Sequence, residues 1–125
     1  MAKNGTVLLI DRDSDLVAIL GSFLTSNGYR MVATTRVREA LRKLGNQQFV
    51  HVFMDPALAP DHSAKILDDL STPGTLNFKT PFTIMAKDLE HAIPYDFTKR
   101  LHAIIAKPFQ LSEFALRLET AREKA

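Results

Sequence analysis

Three apolar runs in the sequence each end in charged side chains. These are Asp11-Arg12-Asp13 after residues 7–10, Asp55 after residues 49–54, and Lys107 after residues 103–106. In an open sheet of parallel strands, ligands bind at the carboxyl ends of the strands, so we expect these side chains to meet at one edge of a sheet. A carboxylate there can act as a nucleophile, and cations beside it can neutralise its charge. The sequence therefore predicts a charged site built from Asp11, Asp55, Arg12 and Lys107.

The composition indicates one globular domain that spans residues 1–125. Apolar residues make up 46% and charged residues 24% of the chain, which is ordinary for such domains. No apolar run is long enough to cross a membrane, and we expect no membrane partner. The absence of cysteine excludes disulfides and cysteine-ligated zinc, and fits a reducing, cytoplasmic location. The net charge of +2 comes without a clustered basic face, so we expect no nucleic-acid partner.

Strand-like and helical patterns alternate along the chain. The predicted strands are Thr6–Ile10, Arg30–Ala33, Val50–Met54, Phe82–Met85 and Ala103–Ala106. The predicted helices are Ser14–Ser26, Arg36–Leu44, Ser63–Leu70 and Leu111–Lys124, together with a weakly helical segment, Lys87–Arg100, which Pro94 interrupts. Asp13 or Ser14 is expected to cap the first helix, and Asn27-Gly28 to end it. Such alternation predicts an α/β domain with a parallel sheet and helices on both faces.

With these elements in place, the chain resembles the receiver domain of response regulators in two-component signalling. The resemblance covers essentially the whole sequence and rests on Ile10-Asp11, Asp55 and Lys107-Pro108-Phe109, in this order, inside a five-fold strand–helix pattern. It implies a flavodoxin-like (CheY-like) three-layer sandwich with strand order 2-1-3-4-5. It also implies a cis peptide bond between Lys107 and Pro108.

The resemblance also implies roles for individual residues. Asp55 takes the position of the acid that a histidine kinase phosphorylates. Asp11 takes that of the first of two acids that hold Mg²⁺, with Asp55 and the carbonyl of Ala57 as further ligands. Lys107 and the residue at position 86 take the positions that bind the phosphoryl group, and position 104 is that of an aromatic residue that moves with the switch.

Arg12 departs from this pattern, because it stands where the second metal-binding acid is expected. Two unit charges at 4 Å interact by about 4 kcal/mol at an effective dielectric constant near 20. The change from aspartate to arginine removes such an attraction for a divalent ion and adds a repulsion. We therefore expect magnesium binding to be lost or badly weakened, and Arg12 to pair with Asp11, Asp13 or Asp55.

Further departures affect the switch itself. Ala86 has no hydroxyl to bind a phosphoryl group, and Ile104 replaces the aromatic residue. Thr83 lies on the same strand as Ala86, but side chains alternate between the faces of a strand, so it is expected to point the opposite way. Pro56 directly follows Asp55 and has no N–H to donate.

Together these departures predict an atypical, pseudo-receiver domain that acts mainly as a protein-interaction module. We expect Arg12 and Lys107 to flank Asp55 and keep it ionised without a metal, with no cofactor and no enzymatic activity. The expected partner is a protein, either a histidine kinase or an output domain. It would contact a face that includes four apolar residues, namely Phe97, Leu101, Ile104 and Phe109.

Two other functions compete with this interpretation. The alternative is a working phosphoacceptor, phosphorylated on Asp55 by a histidine kinase, with Arg12 and Lys107 supplying positive charge. A nucleotide- or flavin-binding domain would need a phosphate-cradling loop after the first strand, and Asp11-Arg12-Asp13-Ser14 is too acidic for one.

Overall fold

The computed structural model describes residues 3–58, 63–88 and 103–124. Its strands are β1 (Thr6–Ile10), β2 (Arg30–Thr34), β3 (His51–Met54), β4 (Phe82–Ala86) and β5 (Ala103–Ala106). Its α-helices are α1 (Ser14–Ser26), α2 (Val37–Asn46), α3 (Ser63–Ser71) and α4 (Leu111–Lys124), and Pro56–Leu58 form a short 3₁₀ turn. The predicted elements in these ranges agree with the structure to within two residues at each end. Residues 89–100 of the predicted Lys87–Arg100 segment, including Pro94, lie outside the described residues.

The five strands form one parallel sheet in the order β2-β1-β3-β4-β5. This is the predicted order, in which the chain reverses direction across the sheet between β1 and β3. Loops that follow β1 and β3 therefore lie side by side.

Apolar side chains pack on both faces of the sheet, which makes the predicted three-layer sandwich. On one face, Leu8 and Ile10 of β1 join side chains from α2 and α3. On the other face, Val7 and Leu9 join side chains from α1 and α4. Since the central strands are buried on both sides, they are short and almost entirely apolar.

The ends of α1 follow the sequence prediction. Asp13 precedes the helix, and its carboxylate accepts hydrogen bonds from the N–H groups of Asp15 and Leu16, at 3.1 Å each. Asn27 ends the helix, and Gly28 follows with φ +82°, a conformation that glycine adopts without steric cost. The Lys107–Pro108 peptide bond is cis, as the resemblance implied.

Asn77 is a fully buried polar residue in the loop between α3 and β4. Its Oδ1 accepts the N–H of Phe49 at 2.7 Å. Its Nδ2 donates to the carbonyls of Leu44 at 2.7 Å and Gln47 at 2.9 Å. One side chain thus joins the end of α2, the approach to β3 and the loop before β4.

A second buried polar contact joins β3 to β4. Nε2 of His51 lies 2.7 Å from Oγ1 of Thr83, and both residues are fully buried. The His51 ring also stacks on Phe53, which packs on the face that α1 and α4 cover, whereas Ala86 packs on the opposite face. The prediction that Thr83 points away from Ala86 is confirmed.

We expect Thr83→Val to lower the free energy of unfolding by about 1–3 kcal/mol, because it removes a buried hydrogen bond without changing side-chain volume much. Urea titration followed by circular dichroism measures the change. Thr25→Val is the matched control, since Thr25 is exposed on α1, and it should stay within about 0.5 kcal/mol of the wild type. Equal effects at the two positions would contradict a structural role for the His51–Thr83 contact.

Candidate functional site

Backbone hydrogen bonds hold the residues that follow β1, β3 and β5 at the same edge of the sheet. The N–H of Asp11 donates to the carbonyl of Thr34 at 3.2 Å, and the N–H of Asp55 donates to that of Ile10 at 3.0 Å. The N–H of Lys107 donates to the carbonyl of Ala86 at 2.8 Å. Each site residue thus extends the sheet one position beyond its own strand, so all three lie at the carboxyl edge.

Lys107 joins the two acids directly. Its Nζ lies 2.6 Å from Oδ2 of Asp11 and 2.8 Å from Oδ2 of Asp55. The side chains are 7%, 2% and 18% exposed for Lys107, Asp11 and Asp55, respectively. The site is therefore a nearly buried ion triad, and Asp55 is its most accessible member.

The other oxygen of each carboxylate accepts a backbone hydrogen bond. Oδ1 of Asp11 accepts the N–H of Asp13 at 2.9 Å, and Oδ1 of Asp55 accepts the N–H of Ala57 at 2.9 Å. These N–H groups were not among the predicted site atoms. The sequence does signal them, because aspartate side chains commonly bond the backbone two residues further on. All four carboxylate oxygens thus have a donor, and the orientation of both acids is fixed.

The triad favours the charged form of its lysine. Burial by itself lowers the pKa of Lys107, because it removes water from the ammonium group. The hydrogen bonds from Lys107 to Asp11 and Asp55, with the attraction of the two carboxylates, outweigh this effect and raise the pKa above the ordinary value of 10.5. With two carboxylates and one ammonium, the triad carries one net negative charge.

This raised pKa predicts a loss of stability at alkaline pH. The folded state holds the Lys107 proton more tightly than the unfolded state, so the contribution of the triad is complete below about pH 10.5 and falls as the pH rises through the raised value. We expect the stability advantage of the wild type over Lys107→Met, measured by urea unfolding, to hold up to about pH 10.5 and to shrink as the pH rises further. A constant advantage above about pH 10.5 would contradict the ionised triad.

The prediction that Arg12 pairs with Asp11, Asp13 or Asp55 is wrong. Its side chain is exposed, and it forms no hydrogen bond or ion pair with any residue in the described part of the chain, including Asp11, Asp13 and Asp55. The physical reason is that Lys107 already supplies a cation to both acids from inside the site. A guanidinium on the first residue after Asp11 remains hydrated at little cost.

The predicted switch positions carry neither a hydroxyl group nor an aromatic side chain. Ala86 is buried and offers no hydroxyl at the end of β4, and Pro56 is buried beside Asp55. Ile104 is 37% exposed on β5.

Ile104 and Phe109 are the residues of the predicted partner face that the structure describes. Phe97 and Leu101 lie outside the described residues. Phe109 is only partly exposed, because it packs against the core on the α1 and α4 face, where its ring lies 6.4 Å from that of Phe114. Phe109 therefore contributes less exposed apolar surface to the predicted partner face than expected. Of the two described residues of that face, Ile104 is the exposed one.

The site offers few oxygen donors to a magnesium ion. Magnesium requires nearly octahedral oxygen coordination, and the site offers the carboxylates of Asp11 and Asp55, with the carbonyl of Ala57 as the third predicted ligand. Each carboxylate already gives one oxygen to Lys107. Within residues 3–58, 63–88 and 103–124, no three histidine, cysteine, aspartate or glutamate side chains gather as a metal-ligand cluster.

Comparison with known proteins identifies relatives over most of the chain. No protein-family model matches it. The chain is 28% identical over 112 residues to the response regulator SaeR of Staphylococcus epidermidis, a match that covers 89% of this chain and 47% of that protein. The chain therefore spans about half the length of the curated relatives it matches.

Solved structures share the fold. The non-phosphorylated receiver domain of HemR from Leptospira biflexa has a TM-score of 0.73 at 24% identity, covering 94% of each chain. The receiver domain of the sensor histidine kinase PA1611 from Pseudomonas aeruginosa has a TM-score of 0.71 at 20% identity, covering 92% of this chain and 94% of that one. That structure carries a magnesium ion in its active-site cleft.

The strand order and these relatives agree on one class of fold. The chain has the CheY-like fold of response-regulator receiver domains, and its sequence is similar to that of a response regulator. None of the helices in the described part of the chain is both long enough and apolar enough to span a membrane.

Proposed function

We propose that this receiver domain acts mainly as a protein-interaction module whose magnesium-dependent phosphorylation site is degenerate. The observation that carries the proposal is the position of Lys107, whose ammonium group bonds both Asp11 and Asp55. The ammonium group of Lys107 thereby takes the place of a bound metal ion between the two acids. Arg12 supports the proposal because it stands where a second metal-binding acid is expected, and it brings no carboxylate to the site.

The residues that would report phosphorylation support the same proposal. A phosphoryl group on Asp55 would meet the methyl group of Ala86 where a hydroxyl would otherwise bind it. Ile104 is aliphatic and exposed, so it cannot act as an aromatic side chain that moves between exposed and buried positions. A modification at Asp55 would therefore have little means of changing the β4 and β5 surface.

The proposal includes the environment in which the domain works. It would bind a protein partner, either a histidine kinase or an output domain, in the cytoplasm. It would have no cofactor and no catalytic activity of its own. Constitutive contacts, rather than phosphate-dependent ones, would carry the signal.

The alternative is a working phosphoacceptor, and the exposure of Arg12 favours it. Because Arg12 does not cover Asp55, the carboxylate stays 18% exposed and open to a donor. In that reaction an Asp55 oxygen attacks phosphorus, a P–O bond forms, and the bond to the departing imidazole or acetate breaks. Lys107 would neutralise part of the charge on the transferred group.

Phosphorylation with acetyl phosphate separates the two functions. We expect wild-type protein incubated with acetyl phosphate and magnesium to keep its intact mass, and beryllofluoride to leave its amide NMR spectrum unchanged. A gain of one phosphoryl group in the wild type, absent from Asp55→Asn, would overturn the interaction-module proposal. It would establish the alternative in its place.

Restoring the missing acid should restore metal binding. We expect Arg12→Asp to bind magnesium at least about tenfold more tightly than the wild type, because two units of charge change close to Asp11. Its free energy of unfolding should stay within about 0.5 kcal/mol, since Arg12 is exposed. Isothermal titration calorimetry measures the affinity.

Arg38→Asp is the control for this experiment, because it makes the same charge change on the exposed side of α2. Its magnesium affinity should equal that of the wild type. Equal gains in the two variants would mean that long-range charge alone determines affinity, and would contradict the role given to position 12.

A further inference from the structure

A groove lies beside the candidate site, between α1 and the outer edge of β2. Its volume is about 1260 Å³. Short side chains of α1, among them Ala18, Gly21 and Ser22, line one wall, and Met31 and Ala33 of β2 line the other. The groove is partly open to solvent.

Three arginines line this groove. Arg12, Arg30 and Arg36 are exposed, and none forms a side-chain hydrogen bond or ion pair with a residue in the described ranges. The two acids of the groove are already paired, because Asp11 bonds Lys107 and Glu39 bonds Arg42. The groove therefore carries an excess of positive charge and is suited to an anionic ligand.

The second wall of the groove is β2, which has no strand beyond it among residues 3–58, 63–88 and 103–124. β2 pairs with β1 on one side and is the terminal strand of the sheet. The N–H of Arg30 and the carbonyl of Thr34 bond towards the β1 side, to Gly5 and Asp11. Because backbone groups alternate along a strand, Met31 and Ala33 direct their N–H and C=O groups away from β1, into the open side.

We propose that this groove binds an acidic, extended segment of a partner protein, which adds to the sheet as a strand beside β2. Main-chain bonds to Met31 and Ala33 provide the pairing, a recognised mode of peptide binding. Acidic side chains of the segment pair with Arg30 near the start of β2 and with Arg12 and Arg36 near its end. β2 is five residues long, so the two strand ends beside which these arginines lie are about 13 Å apart.

Binding of a peptide in this groove is independent of the phosphorylation site. It requires neither a modified nor an unmodified Asp55, so its failure would leave the interaction-module proposal open to the acetyl phosphate experiment. Nucleic acid is the competing occupant, since it is also anionic. A protein segment fits better, because only a peptide backbone can complete the bonding pattern of a strand edge.

The test uses a fluorescent synthetic peptide that alternates glutamate and valine and is as long as β2. We expect saturable binding by fluorescence anisotropy, weakened by added salt. In NMR spectra, the amides of Met31 and Ala33 should shift and become protected from hydrogen exchange. A peptide with lysine in place of glutamate should not bind.

Two variants separate charge from strand pairing. Arg30→Glu combined with Arg36→Glu should weaken binding at least about tenfold, whereas Arg38→Glu, outside the groove, should bind like the wild type. Ala33→Pro removes one outward N–H, and proline is tolerated on an edge strand where its missing N–H would face solvent. It should abolish binding while its circular dichroism spectrum stays that of the wild type.

Three results would overturn the proposal. One is equal binding by wild type and the double glutamate variant. Another is binding without any change at the Met31 and Ala33 amides. The third is equally tight binding of a single-stranded oligothymidylate, which would indicate a general polyanion surface. If Ala33→Pro does not fold, the charge variants and the amide shifts still decide the outcome.

Discussion

Replacing Lys107 with methionine is expected to lower the free energy of unfolding by about 3–5 kcal/mol. The substitution leaves two carboxylates beside each other without the ammonium group that now bonds both. Asp11 is only 2% exposed, so water cannot replace the lost partner. Removing one member of a buried ion pair typically costs this much, because the remaining charge stays uncompensated. A domain of ordinary stability, about 5–15 kcal/mol, would lose a large share of it.

Urea unfolding of two companion variants tests the physical reason. Asp11→Asn combined with Lys107→Met removes one charge of each sign and should recover at least about half of the loss, because no unpaired charge then remains at the buried position. Lys65→Met is the control, since Lys65 is exposed on α3, and it should stay within about 0.5 kcal/mol of the wild type. A loss below about 1 kcal/mol in Lys107→Met would show that the triad is not held together as described.

Replacing Asn77 with aspartate is expected to cost at least about 3 kcal/mol. The new side chain keeps the size of the old one, and it can still accept the N–H of Phe49. It cannot donate to the carbonyls of Leu44 and Gln47, and it places a negative charge beside both oxygens. Each buried group left without a partner costs about 1–3 kcal/mol, and more where a charge is involved.

A matched change at the surface isolates the effect of burial. Asn46→Asp makes the same chemical substitution at an exposed residue at the end of α2, where its cost should stay below about 1 kcal/mol. Thermal and urea unfolding measure both variants. If Asn77→Asp were no more destabilising than Asn46→Asp, the buried hydrogen bonds of Asn77 would not contribute to stability as inferred.

The sequence was sufficient to predict the elements whose signals are local. The apolar runs identified all five strands, and Asp13 with Asn27-Gly28 gave the ends of α1. The boundary of α2 was less well predicted, because Arg36 is extended and its N–H bonds the hydroxyl of Thr34. That contact depends on the loop conformation and leaves no periodic pattern in the sequence.

The candidate site was predicted in its position but not in its internal pairing. The order of the strands brings Asp11, Asp55 and Lys107 to one edge, and this follows from chain topology. Chain topology does not determine whether Lys107 or Arg12 bonds the two acids. Lys107 reaches both carboxylates from β5, whereas Arg12 points to water, and only side-chain geometry distinguishes the two. Asn77 was missed for a similar reason, since its three backbone partners are distant in sequence.

Magnesium titration of the wild-type domain tests most directly whether Lys107 supplies the positive charge that Asp11 and Asp55 share. The N–H groups of Asp13 and Ala57 bond the two carboxylates, so their amide NMR signals report any change at the acids. At millimolar magnesium, we expect these signals to show no saturable shift in the wild type and a saturable one in Arg12→Asp. A saturable shift of both signals in the wild type would show a metal ion between the acids and contradict the degenerate site.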